Sequence, residues 1–308
     1  MKEKPKVNVC VCTYLRLNTL EECLASLVDQ SNLNDFTYSI TVIDNDSNQS
    51  AKAIVSKFQR QCKVAILYFC ETNRGIPFAR NRALDESLQL GSDYIVFIDD
   101  DETASRDWLS ALYANVCSYA DSVIIHGQVI AKFPENTPQY MRDLYRTKKK
   151  RSTGTRLKTC ATDNVIFPVN ILKKFELRFD TSVPLAGGTD TKFFLEFSER
   201  GIPIYECAEA IVFETVFSSR LNLSWIMRRK YRSGITTAWR RLYLGHSRLG
   251  LISTSISSFF LHIISYCLFF VFLQRTLQKR QLLKAARSMG VLAGAFGLKS
   301  CSYAIIDR

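Results

Sequence analysis

A chain of 308 residues can bury a sizeable core and is long for one compact unit, so a main domain with an appendage is expected. With 47% apolar and 23% charged residues, the composition excludes a disordered or fibrous chain. The net charge of +12 is placed unevenly: residues 1–219 hold 26 Lys/Arg against 28 Asp/Glu, and residues 220–308 hold 15 against 1, giving −2 and +14. An anionic partner is therefore to be sought at the C-terminal end.

Ten cysteines at irregular spacing form no CxxC pair and read as small buried hydrophobes in a reducing compartment. Met1 to Lys6 leads straight into a strand pattern, so no signal peptide is expected and the active part is placed on the cytoplasmic side.

Val7-Asn8-Val9-Cys10-Val11-Cys12 predicts a strand that stops at Thr13-Tyr14, and Leu20, Cys23, Leu24 and Leu27 carry a helical spacing after it. A second strand over Ser39 to Ile43 ends in Asp44-Asn45-Asp46-Ser47, and residues 50–61 suit a helix. A third, Val64 to Phe69, runs into Thr72-Asn73-Arg74-Gly75 and a helix from about Pro77 to Leu90, with proline near its first turn. The fourth, Tyr94-Ile95-Val96-Phe97-Ile98, leads into Asp99-Asp100-Asp101-Glu102. Strands alternating with helices predict βαβ units, a mostly parallel sheet, and a ligand crevice beyond the carboxyl ends of the strands. Thr13, Tyr14 and Arg16, then Asp44 and Asp46, then Asn73 and Arg74, then Asp99 to Glu102 all fall at those ends. No GxGxxG follows the first strand and no GxxxxGK[ST] occurs, which excludes a dinucleotide fingerprint and a P-loop.

Consecutive carboxylates at a strand end repel one another unless a cation or a set of donors offsets them, and a hard divalent metal is the natural partner. The alternative is an acidic turn capping a helix that begins near Ser105. Beyond a helix over 105–119, Ser122 to Gln128 predicts a strand whose His126 reads as a core or edge histidine. Residues 134–158 are polar, with Lys148-Lys149-Lys150-Arg151 read as a solvated run or, less favoured, a lid. Gly187-Gly188-Thr189-Asp190 opens a helix to about Arg200.

Val9-Cys10-Val11-Cys12-Thr13-Tyr14-Leu15-Arg16, Val42-Ile43-Asp44-Asn45-Asp46-Ser47, Asn73-Arg74-Gly75 with Ala79-Arg80-Asn81-Arg82-Ala83, Phe97-Ile98-Asp99-Asp100-Asp101 and Gly187-Gly188-Thr189-Asp190 together resemble the ordered motifs of family 2 glycosyltransferases. The likeness is strongest to bacterial enzymes of exopolysaccharide and lipopolysaccharide assembly, including succinoglycan-type transferases, and spans about residues 7–240. It implies a GT-A fold: a Rossmann-like, mixed but mostly parallel sheet flanked by helices. It also implies inverting transfer of a sugar from a nucleotide diphosphate, with a UDP-sugar as the expected donor.

By the same resemblance Thr13, Tyr14, Arg16, Asp44, Asp46, Arg80 and Asp100 hold the nucleotide, Asp99 and Asp101 hold Mn²⁺ or Mg²⁺, and Asn164, Gly187, Gly188 and Thr189 meet the sugar or acceptor. Asp190 becomes the base that takes the acceptor proton. Chemistry supports several of these roles: a carboxylate reads the imide of uracil, and a guanidinium suits phosphate. Plainer readings stand beside them. Asp44, Asp46 and Ser47 form a turn and cap, Arg82 lies on a solvated face, and Thr189 or Asp190 caps its helix. The family usually has Glu-Asp where this chain has Thr189-Asp190.

Residues 221–248 pattern as a basic amphipathic helix suited to an anionic membrane surface, or to packing on the core. The family's Gln-x-x-Arg-Trp signature of repeated extension is absent. Leu249 to Leu273 holds 25 residues without a charged side chain, long enough to cross a bilayer core of roughly 30 Å. A second apolar stretch, Met289 to Ile306, carries Gly290-x-x-x-Gly294. Basic residues on both sides of the first stretch favour a hairpin or re-entrant anchor over residues 249–308, appended to a catalytic domain over 1–220. The expected partners are a nucleotide-sugar donor, a lipid-linked or glycan acceptor and the membrane's cytoplasmic face, with no nucleic acid. The alternatives are a metal-dependent sugar nucleotidyltransferase and a non-catalytic scaffold.

Overall fold

The computed structural model describes residues 3–145, 150–182 and 188–299. In chain order the elements are β1 (Lys6–Thr13), α1 (Leu17–Val28), β2 (Thr37–Asp44), α2 (Lys52–Gln61), β3 (Ala65–Cys70), α3 (Ile76–Gln89), β4 (Tyr94–Asp99), β5 (Glu102–Ala104), α4 (Trp108–Cys117), β6 (Ile124–Lys132), α5 (Gln139–Tyr145) and β7 (Arg156–Leu157). They continue with β8 (Asn164–Pro168), α6 (Val169–Phe175), α7 (Thr189–Glu199), β9 (Ile204–Thr215), α8 (Leu223–Tyr243), α9 (Arg248–Val271) and α10 (Arg275–Ala295). Two compact units result: Met1–Lys132, Lys148–Pro184 and Thr189–Thr215 form one, and Phe133–Thr147, Leu185–Gly188 and Val216–Arg308 the other. The division falls at 215/216, and residues 133–147 and 185–188 belong to the C-terminal unit.

The first unit is a sheet in the order β3-β2-β1-β4-β8-β6-β9-β5, with β7 paired to β9. β1, β2, β3 and β4 run parallel, as the βαβ pattern predicts. The second half is mixed: β8 is antiparallel to β4 and β6, and β9 is parallel to β6 but antiparallel to β5 and β7. Val7 to Val11 is buried throughout, as a central strand covered on both faces requires. Val9 and Val11 face one layer, with Leu20, Leu24 and Leu27 of α1, Val55 of α2 and Leu112 of α4. Cys10 faces the other, with Ala79 and Ala83 of α3 and Phe193, Phe194 and Phe197 of α7. Each fully buried leucine contributes about 2 kcal/mol, so these two layers fix the sheet on which the site rests.

The order 2-1-4 sets a topological switch point between β1 and β4. The chain leaves β1 toward β2 and β3 and returns to the other side of β1 as β4, which opens a crevice at the carboxyl ends of both. Register pairs Cys12 with Asp99, so Thr13 and the acids emerge side by side.

The second unit holds α5, α8, α9 and α10. Asn222 caps α8 by accepting the Trp225 N–H at 2.8 Å. α10 packs along both α8 and α9. The α8–α10 crossing is built on glycine: a Cβ on Gly290 would strike the Tyr231 carbonyl, one on Gly234 the Arg287 carbonyl, and one on Gly294 would lie 2.8 Å from the Ala238 Cβ. The close contact expected of Gly290 and Gly294 is therefore made against α8. α10 begins at Arg275, carries the basic residues and takes in the start of the second apolar stretch, whose residues 300–306 lie outside the described residues. In contrast, α9 is long and apolar enough to cross a membrane, with only 6% of its most apolar stretch buried.

Candidate active site

Arg16 is the hub of the crevice. The turn between β1 and α1 passes through Leu15 at φ 56°, a conformation uncommon for a leucine, and brings the Arg16 guanidinium back over the strand ends. From there Nη1 donates to Asp100 at 3.0 Å and to Asp101 at 3.1 Å. The Thr13 hydroxyl donates to the other Asp100 oxygen at 2.7 Å. Arg80, buried on α3 against the Phe179 ring, lies 3.8 Å from Asp99. Five predicted residues from three separate stretches, Thr13, Arg16, Arg80, Asp100 and Asp101, thus meet around Asp99.

Their roles differ from one another. Thr13, Asp100 and Arg80 are buried and tied to protein partners, so they build the floor of the site. The Asp99 side chain keeps 43% of its surface open. Burial nevertheless pushes its pKa up to about 7, with Asp101, Asp163 and Asp100 adding to the rise and Arg80 opposing it. The open surface lets water reach the carboxylate, so the upward direction is what the geometry secures. Burial likewise pushes Asp100 up to about 6 against the pull of Arg16, and holds Glu102 well above the usual range. The helix-capping alternative fails here: the acids pass into β5, and α4 starts at Trp108 without an acid in its first turn.

Among the described residues no three His, Cys, Asp or Glu side chains group to hold a metal by themselves. Asp99 and Asp101 offer hard oxygen donors from neighbouring positions. That partial set suits Mg²⁺ or Mn²⁺, which commonly take one or two carboxylates and complete the shell with substrate phosphates and water.

Asp44 ends β2 beside Thr13 and is fully buried. Its carboxylate accepts the Ala51 and Asp46 N–H groups at 2.8 and 3.1 Å and the Tyr68 hydroxyl at 2.9 Å. Asp46 accepts the Asn48 N–H at 3.1 Å. These are the bonds of the turn-and-cap reading, and they commit much of both side chains to the loop. Between them Asn45 reaches the carbonyls of Glu71 and Asn73 and accepts the Gly75 N–H, joining the β2 end to the β3–α3 turn. Gly75 stands at φ 142°, open only to glycine. Tyr14 lies under the Arg74 guanidinium, 5.1 Å from its ring centre. Arg82 pairs with Glu86 at 2.7 Å and packs over Phe69, as a helix-face arginine should.

Asn164 is the clearest departure from the expected sugar pocket. It is fully buried, accepts the Trp108 indole N–H at 2.8 Å, and donates to the carbonyls of Gln128 at 3.1 Å and Ala210 at 2.9 Å. The β6–β9 register jumps between Gly127 and Gln128, and the amide stitches the gap. Asn164 is a structural bridge whose polar atoms are committed to protein partners.

Gly187 lies outside the described residues. Gly188, at φ 97°, needs glycine on two counts, since a Cβ would also lie 2.5 Å from the Thr236 methyl. Thr189 is buried at the start of α7. Asp190 in the first turn is half-buried and accepts the Thr191 N–H at 2.7 Å.

One cluster was not legible beforehand. His126 is buried on β6, its Nε2 3.1 Å from Asp163 and its Nδ1 3.6 Å from Glu206, which in turn lies 3.6 Å from Arg151. The β4–β8 register ends at Ile98 opposite Asn164, and one further step faces Asp99 with Asp163. Only alignment of strands far apart in sequence brings these side chains together.

The family model described as Glycosyl transferase family 2 matches residues 8–175. The chain belongs to glycosyltransferase family 2. It is 30% identical to the succinoglycan biosynthesis protein ExoM of Rhizobium meliloti over 295 residues, 95% of this chain and 94% of that protein. It is 28% identical over 138 residues to the glucosyl-dolichyl phosphate glucuronosyltransferase of Haloferax volcanii, covering 44% of this chain and 42% of that one. In fold, this family 2 enzyme is similar to Staphylococcus aureus TarS 1-349, with a TM-score of 0.55 and 16% identity over 95% of this chain and 91% of that one. The same TarS fragment has been crystallised with UDP-GlcNAc, at a TM-score of 0.52. The mixed sheet flanked by helices agrees with the expected GT-A fold.

Proposed function

We propose that this family 2 glycosyltransferase moves one sugar, with inversion, from a UDP-sugar to a hydroxyl of a membrane-associated glycan or glycolipid during cell-surface polysaccharide synthesis. The observation that carries this reading is the convergence of Arg16, Arg80, Asp99, Asp100 and Asp101 at the β1/β4 switch point. The similarity to a succinoglycan biosynthesis protein supports the polysaccharide product, and the UDP-GlcNAc complex of TarS supports the donor class. Family membership favours transfer over the nucleotidyltransferase and scaffold alternatives.

Charge argues for a counter-cation. Asp99, Asp100, Asp101, Glu102 and Asp163 gather beside Arg16 and Arg80, and an entering diphosphate would bring further negative charge to these acids. Asp99 and Asp101 are the residues that would hold Mn²⁺ or Mg²⁺, which when bound offsets charge growing on the departing nucleotide diphosphate. Arg16 keeps Asp100 and Asp101 fixed, and Arg80 orients Asp99. On the acceptor side Asp190, open to solvent in part, takes the proton of the attacking hydroxyl. The exposed apolar helix α9 anchors the enzyme at the cytoplasmic face of the membrane.

A panel of nucleotide sugars, scored for release of free nucleotide diphosphate with Mn²⁺ or with chelator, tests the reaction. Asp190→Asn is expected to bind donor normally and to lose transfer by roughly 10²–10⁴-fold; near-normal turnover in that variant rejects Asp190 as base. Release of the chain from membranes by salt alone, without alkaline carbonate, rejects insertion of α9.

A further inference from the structure

Among its described residues the C-terminal unit holds many cations and few acids. From Val216 to Lys299 the sequence has no Asp or Glu. The unit's described acids are Glu135 and Asp143, and Asp143 already lies 3.9 Å from Arg280. On α8, Lys230, Gly234, Thr237 and Arg241 follow steps of four, three and four, so they share one face, with Arg240 on its edge. α10 crosses that face at Gly234, whose missing side chain lets the Arg287 backbone pass close by. The Arg287 guanidinium then turns onto the same face and donates to the Thr237 hydroxyl at 3.3 Å. Lys230 lies two turns before Thr237 and Arg241 one turn after it, so Arg287 of α10 joins a face of α8 that already carries cations on both sides of the crossing.

Such an arrangement opposes itself. Burial and the neighbouring Arg229 and Arg287 hold the Lys230 pKa below its usual value, and burial with Arg240 and Arg241 does the same to Arg287. The tight glycine crossing fixes the backbones from which these cations extend, so Arg287 starts from a position close to α8. Guanidinium groups converging in pairs suit phosphate oxygens. The adjoining helix is the exposed, apolar α9, against which α10 also packs. An anion that belongs beside an apolar helix is one carried on a lipid.

We infer that Lys230, Arg240, Arg241 and Arg287, gathered at the α8–α10 crossing, form a binding site for the phosphate headgroup of an anionic membrane lipid. This inference rests on the membrane reading above and adds to it a defined site in place of diffuse attraction. It also gives the tight α8–α10 crossing a purpose, since the same glycines that bring the helices together assemble the site.

The test uses the full chain and vesicles of phosphatidylcholine with or without phosphatidylglycerol. Arg240→Gln/Arg287→Gln is expected to weaken binding to the anionic vesicles by roughly 30-fold. The control Arg228→Gln/Arg275→Gln removes the same charge from exposed positions on the same two helices and should weaken it by no more than about threefold. Equal losses in the two pairs would reduce the site to general electrostatics and overturn it. The cluster variant should melt no lower than wild type, because like-charge repulsion falls; a lower midpoint with lost binding would assign the cluster to packing. Inorganic diphosphate should compete with vesicles for the wild type. Diphosphate binding that leaves vesicle affinity independent of the cluster would move the ligand to a soluble anion and reject the lipid. If salt releases wild type from membranes the membrane reading fails; if the chain stays inserted and both variant pairs bind alike, this inference alone fails.

Discussion

Asn164→Ala separates a structural bridge from a sugar ligand. The substitution leaves the buried Trp108 indole N–H without its acceptor and removes the shared donor of the Gln128 and Ala210 carbonyls. A buried polar group left unsatisfied costs about 1–3 kcal/mol. Counting the indole in full, the two carbonyls at the low end because each keeps a second lone pair, and a small cavity gives about 3–5 kcal/mol. For domains of about 150–250 residues each kcal/mol moves the midpoint by roughly 2–4 °C, so a fall of roughly 6–20 °C is expected by thermal denaturation. Donor KM, measured well below the new midpoint, should stay within about twofold. Gly127→Ala places a methyl group against the same amide and the Ala210 carbonyl, so it should cost a similar amount, and the double variant should lose much less than the sum. An unchanged midpoint with a tenfold higher donor KM would refute this reasoning and return Asn164 to the sugar pocket.

Arg16 makes both acid contacts from one nitrogen, so an ammonium can replace it in part: Arg16→Lys should keep at least tenfold more transferase activity than Arg16→Ala, and equal losses would show that the planar fork is used elsewhere. Asp180 is lowered to about 2, chiefly by its hydrogen bond from Lys192 at 2.6 Å. A depressed carboxylate stabilises the fold fully above its unfolded value of 3.8 and loses that contribution as pH falls from there through about 2. Discounted for partial exposure, Lys192→Met should cost about 1–2 kcal/mol in urea titrations at pH 7, with the gap closing between pH 4 and pH 2; a gap independent of pH would deny the pair its role. Gly290→Val should cost about 3 kcal/mol by forcing α10 off the Tyr231 carbonyl, whereas Gly250→Ala, which meets only Ser247 at 3.6 Å, should be neutral in the same denaturation assay.

The first half of the sheet was legible because each strand there is short, apolar and followed by a helix with its own period. The spacing of Leu20, Cys23, Leu24 and Leu27 predicts α1, and all four are fully buried. The second half was not. β9 carries Glu206 and Glu209 among Ile204, Cys207, Val212 and Phe213, so its alternation is broken, and the three-residue β5 is too short to show a period. Both exist because neighbours complete their ladders, with β5 on β9 and β9 on β6, and a single sequence does not display pairing between distant strands. The same blindness hid the glycine crossing. Gly290 and Gly294 announce a close helix contact, but only packing shows that α8 is the partner.

At the site, position was legible and direction was not. Ordered motifs at four strand ends lead to the acids, Arg16 and Arg80, since a parallel sheet delivers its strand ends to one edge whatever the side chains do. Which way each polar group turns depends on partners supplied from elsewhere. The family resemblance makes Asn164 a pocket residue, yet it opens β8 beside a jump in the β6–β9 register, and the unpaired carbonyls there claim its amide. Asp163, one position earlier, faces Asp99 across the sheet and is held by His126. A shift of one residue in β8 would exchange the two, pointing the amide at the acids and burying a carboxylate against Trp108. The register of β8 against β4, set by Phe167 and Val165 packing into the layer with Phe97 and Phe193, therefore decides which side chain reaches the crevice.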